Sequence, residues 1–181
     1  VDISVIVPVY NGGRKIRRCV RALKRQTTER SYEIIVVDDG STDGSLQGIE
    51  AFEVRVVRQP NQGPAAARNL GVQEARGEIV LFTDGDCEPV EDWIEQMVSR
   101  LKDPAISGVK GSYLTRQKRI VARFVQREYE SKYERMKRDD FIDFIDTYAA
   151  AFVKADFLAA GGYDTRFRTA SVEDQEFSFR M

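Results

Sequence analysis

Residues 79–86 read Ile-Val-Leu-Phe-Thr-Asp-Gly-Asp, an apolar run that ends at two carboxylates one residue apart. A short apolar run bounded by turn residues is typical of a buried strand. Two earlier runs have the same form: residues 3–7 stop at Pro8, and residues 33–37 end at Asp38-Asp39-Gly40. Three predicted strands are thus followed directly by polar or turn-forming residues.

Helical patterns separate these strands. Apolar residues recur at helical spacing over 14–26 and 92–101, Pro64 begins a helix that runs to about residue 75, and capping residues begin one over 41–52. With a further strand at 54–57, strand and helix alternate. This alternation predicts an α/β fold of βαβ units with a mostly parallel central sheet flanked by helices. Ligands of such folds bind at the carboxyl ends of the strands.

The pattern changes after residue 103. It predicts strands over 106–113 and 148–153, separated by a long amphipathic helix over 118–137. An apolar stripe runs along that helix, formed by Ile120, Val121, Phe124, Val125, Tyr129, Tyr133 and Met136. A short helix then leads to Gly161-Gly162, and a last helix starts at Glu173. We expect one domain of two portions, residues 1–103 and 104–181, apparently truncated at its C-terminus.

Composition narrows the chemistry. The chain has 181 residues, of which 42% are hydrophobic and 31% charged, as in an ordinary globular domain. The net charge of −1 argues against a nucleic-acid partner bound by bulk charge. Because the chain has no histidine, proton transfer falls to Asp, Glu, Lys, Tyr or Cys, and a hard metal to carboxylates. This excludes most zinc hydrolases and Ser-His-Asp enzymes.

Two cysteines and the absence of a long apolar run bear on location. Cys19 and Cys87 form neither a disulfide framework nor a zinc pattern, so we expect a reduced, cytoplasmic setting. No apolar run approaches the roughly 20 residues that span a bilayer. The chain starts at Val1 and ends within a predicted helix, so we expect both ends to be fragment boundaries.

The acidic triplet Asp84-Gly85-Asp86 is the first candidate site. Two carboxylates at a strand end can share a Mg²⁺ or Mn²⁺ that also grips a diphosphate, and Gly85 lets the backbone pass close to a ligand. The alternative is an ordinary surface turn, which also favours Asp and Gly.

Two further groups allow two interpretations each. Asp38 and Asp39 can cap the following helix or accept hydrogen bonds from a nucleobase and a ribose. Arg68, in the second turn of the helix that starts at Pro64, can reach a phosphate or ribose, or it can be a surface residue beside a tight helix–sheet contact.

Taken together, motifs along the entire chain resemble the family 2 glycosyltransferases of the GT-A (Rossmann-like) fold. Their order is more specific than any single one of them. The motifs are Pro8-Val9-Tyr10-Asn11, residues 36–43, Gly63 to Gly71, Gly77-Glu78 with Asp84-Gly85-Asp86, Gly161-Gly162-Tyr163-Asp164 and Glu173-Asp174.

The resemblance implies an inverting, metal-dependent transferase of the hexosyltransferase type, using Mg²⁺ or Mn²⁺. It would move a sugar from a nucleotide-diphosphate sugar, UDP-sugar favoured over GDP or dTDP, to an acceptor hydroxyl on a glycan, a lipid-linked carrier or another molecule. Polysaccharide, glycolipid or other cell-envelope glycan synthesis is the expected setting. Residues 1–103 would bind the nucleotide sugar, and residues 104–181 would form the acceptor side.

The resemblance also implies site residues. Asp86 would bind the metal and Asp84 the ribose, while Asp174 resembles the general base, with Glu173 as second choice. A base placed opposite the leaving nucleotide suits inverting transfer, although the acidic pair can instead cap its helix. The expected nucleotide-binding residues are Pro8, Val9, Tyr10, Asn11, Asp38, Asp39, Gly63, Arg68, Asp84 and Gly85.

Two basic segments remain. Residues 14–25 carry seven basic side chains, and residues 116–138 carry nine against three glutamates. Such faces are either solvated or attracted to an anionic membrane bearing a lipid-linked acceptor, which would place the protein at the cytoplasmic face.

Three other functions compete with transfer. A nucleotidyltransferase would need a Gly-rich, basic loop after the first strand, where residues 8–13 are not basic. A receiver-like module would carry its acidic pair after the first strand, not the second. A nucleotide-sugar-binding domain of a larger synthase fits the same motifs.

The Gln-x-x-Arg-Trp motif of processive synthases is absent and would lie beyond Asp174, so processivity stays open.

Overall fold

A six-stranded sheet forms the centre of the computed structural model, which describes residues 1–103, 105–115, 118–136, 142, 144–169 and 172–181. Its strands are β1 (Ile3–Val9), β2 (Tyr32–Asp38), β3 (Arg55–Arg58), β4 (Ile79–Thr83), β5 (Gly108–Lys110) and β6 (Ala149–Val153). They lie in the order β3-β2-β1-β4-β6-β5.

The pairing of these strands confirms the predicted mostly parallel sheet. β1 pairs in parallel with β2 and β4, and β2 pairs in parallel with β3. β6 runs antiparallel to both of its neighbours, β4 and β5. Because β5 and β6 follow residue 103, one sheet continues through both expected portions of the chain.

Within the described residues, six α-helices accompany the sheet. They are α1 (Lys15–Leu23), α2 (Pro64–Glu74), α3 (Trp93–Arg100), α4 (Ile120–Met136), α5 (Lys154–Ala159) and α6 (Glu173–Arg180). In the described part of the chain, no helix is both long and apolar enough to cross a membrane.

The predicted helix over residues 41–52 is wrong. Only a short 3-10 helix, Ile49–Phe52, forms there. Gly44 and Gly48 have positive φ angles of 71° and 73°, a left-handed conformation that interrupts an α-helix. The segment is therefore a loop after β2, where it can line a site at the edge of the sheet.

β1 also differs from prediction, because it continues through Pro8 to Val9. The Val9 carbonyl accepts the Asp39 N–H toward β2, so Pro8 faces the opposite side, toward β4. On that side the ladder has already ended at the pair Ile6 and Phe82. No ladder bond is lost where proline lacks its N–H, which is why a central strand tolerates it.

Later in the chain, the strand expected over 106–113 is shortened to Gly108–Lys110. The long helix is present as α4, although the final residue of the predicted span, 137, lies outside the described residues. No residue of α4 is fully buried: Ile120 and Phe124 of its apolar stripe are exposed, whereas Tyr129 and Tyr133 are half-buried.

Two apolar layers cover the sheet. Alternate residues of β1 face α1 and α3 on one side, and α2, α5 and α6 on the other, so both sheet faces are buried. On the second side an aromatic cluster joins Phe177 of α6 to Phe157 of α5, with ring centroids 4.7 Å apart, and to Tyr163 at 4.8 Å. This packing fixes the position of α6, which begins at Glu173.

Candidate functional site

The carboxyl ends of β1, β2 and β4 meet the first turns of α2 and α6 at one edge of the sheet. The Asp39 N–H donates to the Val9 carbonyl at 2.9 Å, which joins the ends of β2 and β1. Arg68 of α2 contacts both Asp84 after β4 and Glu173 of α6. Most of the predicted site residues therefore lie in one region, although Val9 and Glu173 are 164 positions apart in sequence.

Asp39 is buried and holds the loop that leads into α2. Its Oδ1 accepts hydrogen bonds from Gln59 Nε2 at 2.7 Å and from the Gln62 N–H at 2.8 Å. Its Oδ2 accepts the Gly63 N–H at 2.9 Å. Gly63 has φ +95°, and a Cβ there would overlap the Arg168 carbonyl. Both residues therefore have clear structural roles beside the predicted contact with nucleotide.

Asp38 points to a different place from Asp39. Its Oδ1 accepts the Ser41 N–H at 2.8 Å, and its Oδ2 lies 3.6 Å from Arg58 Nε. It lines a cavity of about 410 Å³ formed with the loop after β2. Asp39 is not among the residues that line this cavity, so the structure separates the side chains of Asp38 and Asp39.

The segment after β1 is ordered by the loop after β2. The Asn11 N–H donates to Ser41 Oγ at 2.9 Å, and Asn11 Oδ1 accepts the Thr42 N–H at 2.8 Å. These bonds hold Asn11 at φ 51°, which asparagine tolerates better than most residues. Tyr10 lies between Val9 and Asn11. It is 54% exposed, so its ring is free to stack on a planar ligand, whereas Val9 is buried.

The acidic triplet presents its two carboxylates in different environments. Asp84 Oδ1 accepts from Arg68 at 3.1 Å, and its side chain is 38% exposed. Asp86 Oδ2 lies 3.1 Å from Lys15 Nζ, and its side chain is 55% exposed. Between them, a Cβ on Gly85 would meet the Pro8 carbonyl at 3.4 Å, so the triplet passes close to the end of β1.

Arg68 is buried behind the triplet. One terminal nitrogen donates to Asp84 and the other to Glu173 Oε1, both at 3.1 Å. Its guanidinium also lies 5.9 Å from the ring centroid of Tyr163. The structure thus places Arg68 on two carboxylates and not at the surface.

Glu173 and Asp174 differ sharply. Glu173 is buried and ion-paired, whereas Asp174 is half-buried, with Oδ1 accepting the Gln175 N–H at 2.8 Å. Burial is the main cause that raises the pKa of Asp174, and the carboxylates of Asp146 and Glu173 raise it further. The Gln175 N–H and Arg68 oppose this rise. A carboxyl with a raised pKa is better suited to accept a proton than an ordinary aspartate.

The donor set fits a hard divalent cation only in part. Among the described residues, no group of three carboxylate or thiol ligands could hold a metal by itself. Mg²⁺ and Mn²⁺ are commonly bound by one or two carboxylates, with substrate phosphates and waters completing the shell. Asp86 offers an exposed carboxylate for such an ion, which would have to displace the Lys15 ammonium.

Sequence reasoning missed the ion pairs that organise this site. Arg68 and Glu173 are 105 residues apart, and Lys15 and Asp86 are 71 apart. No local periodicity marks either contact. The only available signal was that Arg68 and Glu173 each stand in a motif and each lie in the first two turns of a predicted helix.

Comparison with known proteins decides the family. The family model described as "Glycosyl transferase family 2" matches residues 4–159, which is most of the chain. The chain belongs to glycosyltransferase family 2. This confirms the resemblance stated from the motifs.

Curated glycosyltransferases are similar over about three fifths of the chain. The glycosyltransferase AglE of Haloferax volcanii is 38% identical over 117 residues, which are 61% of this chain and 38% of the relative. The glycosyltransferase GlyG of Streptococcus pneumoniae is 40% identical over the same shares of both proteins. The chain thus matches little more than a third of the length of these relatives.

Two solved structures share the fold of this chain. The mannosyltransferase PcManGT of Pyrobaculum calidifontis, in complex with GDP-Man and Mn²⁺, superposes with a TM-score of 0.79 at 25% identity. The superposition covers 97% of this chain and 50% of that one. S. aureus TarS 1-349 in complex with UDP-GlcNAc superposes with a TM-score of 0.71 at 21% identity, over 99% and 53%. The GT-A architecture is thereby confirmed.

Proposed function

We propose that this chain forms the donor site and the general base of an inverting, metal-dependent glycosyltransferase of the hexosyltransferase type. The observation that carries the proposal is the single buried Arg68, which contacts both Asp84 and Glu173, the neighbour of Asp174. The carboxylate expected to meet the donor ribose and the residue that directly precedes the expected base in α6 are thereby held on one cation.

The transfer step follows from these positions. Asp174 takes the proton of the acceptor hydroxyl as its oxygen attacks the anomeric carbon of the sugar. The bond from that carbon to the diphosphate oxygen breaks, and the nucleoside diphosphate leaves with the electron pair. Asp86 would hold the Mg²⁺ or Mn²⁺, which when bound neutralises the charge that develops on the leaving diphosphate.

The nucleotide would bind at the ends of β1 and β2. Tyr10 offers an exposed ring to a base, and the loop held by Asp39 borders it. UDP-sugar is our first expectation. A GDP-sugar is the second, because the 25% identical PcManGT was solved with GDP-Man and Mn²⁺.

A lipid-linked or glycan hydroxyl is the expected acceptor, and synthesis of a polysaccharide, glycolipid or other cell-envelope glycan is the proposed setting. The half-buried Asp174 lies on α6, at the side of the sheet formed by residues after 103. Peripheral contact with an anionic membrane would bring a lipid-linked hydroxyl to this side.

A second candidate function is donor binding without independent activity. It is favoured by one observation: the chain covers 38% of its curated relatives and about half of its structural neighbours. Transfer would then need residues that these longer proteins supply.

A thermal-shift screen tests the proposed donor class. UDP-, GDP- and dTDP-sugars are each added to the chain with and without Mn²⁺, and the melting temperature is measured. We expect one nucleotide sugar to raise the melting temperature, because a ligand that binds only the folded chain stabilises it. We expect this shift only with Mn²⁺, because the proposed donor binding needs the metal. Shifts that are the same without Mn²⁺ would contradict the metal dependence. Release of free nucleoside diphosphate then separates transfer from binding alone.

Asp86→Asn is expected to weaken donor binding in Mn²⁺ by about 10–100-fold, since an amide oxygen is a poorer ligand for a hard cation than a carboxylate. Binding without Mn²⁺ stays unchanged. Calorimetry on the donor identified by the screen measures both. Glu88→Gln is the matched control, because Glu88 is an exposed acid paired with Arg18. Unchanged affinity in Asp86→Asn would remove this residue from the metal site.

Tyr10→Ala is expected to weaken nucleoside diphosphate binding on the order of ten-fold, because a stacked base loses about 1–3 kcal/mol. Inorganic diphosphate binding changes little, since it has no base. Tyr10→Phe keeps the ring and should bind as the parent does. Equal losses for both ligands in Tyr10→Ala would show that the ring does not contact the base.

A further inference from the structure

The structure distinguishes the two basic segments of the sequence. In α1, Lys15 pairs with Asp86 and Arg18 with Glu88, while Arg21 lies over the Phe52 ring. Lys24, just after α1, lies 3.7 Å from Glu53, and Arg17 donates to the Gln47 carbonyl. These cations are used to join α1 to its neighbours.

The start of α4 has unpaired cations instead. Lys118, Arg119, Arg123 and Arg127 are all exposed, and none has an ion pair or a side-chain hydrogen bond within the part of the chain that the structure describes. Four positive charges therefore stand within ten residues without local compensation. Such a cluster attracts an anionic surface.

Apolar side chains are exposed among these cations. Ile120 is 85% exposed, Val121 75% and Phe124 62%, and nearby Leu114 is 72% exposed. Ile120 and Phe124 lie one helical turn apart, on one face. An exposed aromatic and aliphatic face beside unpaired cations is the composition of a helix that lies in a membrane interface.

The opposite face of α4 is already occupied. The Tyr129 ring packs on Tyr113, with centroids 5.6 Å apart, and Tyr133 Oη lies 2.7 Å from Tyr148 Oη. Lys132 lies 3.4 Å from Asp146. Because these contacts hold the second half of the helix to the body, the apolar residues of the first half cannot turn inward.

We propose that the lipid-docking face, defined as Leu114, Lys118–Val121, Arg123, Phe124 and Arg127, seats this chain on a bilayer containing anionic lipid. Phe124 and Ile120 would enter the acyl boundary while the arginines contact lipid phosphates. Charge complementarity favours an anionic lipid surface as the partner of this face. A second copy of the chain would bring the same four cations against each other, which like-charge repulsion opposes.

The same helix is linked to α6, which carries Asp174. Lys132 of α4 lies 3.4 Å from Asp146, and the N–H of the neighbouring Ile145 donates to Ser178 Oγ of α6 at 3.0 Å. A bilayer against the first half of α4 would present hydroxyls near this side of the site. That consequence rests on the proposed function, whereas the docking itself does not.

Vesicle co-sedimentation tests the docking. The chain is mixed with vesicles of phosphatidylcholine alone or with equal parts of phosphatidylglycerol, at low and high salt, without donor or Mn²⁺. We expect binding only to the anionic vesicles, falling as salt rises. Replacing Arg119, Arg123 and Arg127 with Gln should weaken it on the order of 100-fold. Phe124→Ser should weaken it about ten-fold or more.

Changing Arg17, Arg18 and Arg21 of α1 to Gln is the matched control, which removes the same charge and should leave most binding intact. Equal losses for the two triple variants would overturn the proposal, as would equal binding to both vesicle types. Phe124→Ser binding like the parent would rule out insertion. Light scattering that shows a dimer dissolved by Phe124→Ser would assign the face to a second copy. A failed vesicle test with intact donor binding would leave the proposed function standing.

Discussion

Asp174→Asn lowers the rate of nucleoside diphosphate release by about 10²–10⁴-fold, the usual contribution of a general base, while donor affinity stays within about two-fold. The amide keeps the size of the side chain and can still accept the Gln175 N–H, but it cannot take a proton from the acceptor. The donor is the one that the thermal-shift screen identifies, and the released diphosphate is measured.

The pH dependence gives this prediction a second readout. Asp174 acts as a base only when deprotonated, so the rate rises with pH through its pKa. Because burial raises that pKa, the acid limb of kcat/KM lies above the ordinary range of an aspartate. The limb should be absent in Asp174→Asn.

Glu176→Gln is the control for Asp174→Asn. Glu176 stands in the first turn of the same helix and pairs with Arg180, away from the buried arginine. We expect it to keep the parent rate. An Asp174→Asn chain that retains the parent rate would assign the proton transfer to another group.

Arg68→Gln is expected to lower the free energy of unfolding by about 3–5 kcal/mol, the cost of removing one partner of a buried ion pair. The buried Glu173 then loses its ion pair with Arg68, and Asp84 loses its 3.1 Å contact with the same guanidinium. Chemical denaturation with urea measures the loss. Donor binding in Mn²⁺ should fall as well, because Asp84 is no longer held.

Two further variants separate the buried pair from general charge effects. Arg18→Gln breaks an exposed pair with Glu88 and should cost at most about 1 kcal/mol. The double variant Arg68→Gln with Glu173→Gln should recover part of the stability lost in Arg68→Gln, since the buried charge of Glu173 is then removed together with that of Arg68. A double variant as unstable as the sum of its two single changes would show that the pair is not coupled.

The sequence was sufficient where the determinants are local. The apolar runs of β1, β2 and β4 and the polar residues that follow them predicted both the parallel sheet and the edge where the site lies. The carboxyl ends of parallel strands meet at one edge, so the ordering of motifs along the chain was enough to bring Tyr10, Asp39 and Asp84 together.

The sequence was insufficient where distant contacts decide. The antiparallel insertion of β6 beside β4 depends on the chain returning from residue 149, and no local pattern specifies it. The helix expected over 41–52 failed because two glycines adopt left-handed angles there. In α4, periodicity correctly predicted a helix, but the apolar residues of its first half face outward, since periodicity does not say what covers a face.

The contact between Gly63 and Arg168 has a consequence for protein engineering. The backbone of the second portion rests where a side chain at Gly63 would be, so the two portions fit each other sterically. A chimera that joins residues 1–103 to the corresponding part of another relative would need a loop that also fits over this glycine. Recombination between the two portions of the chain is therefore limited by this steric fit.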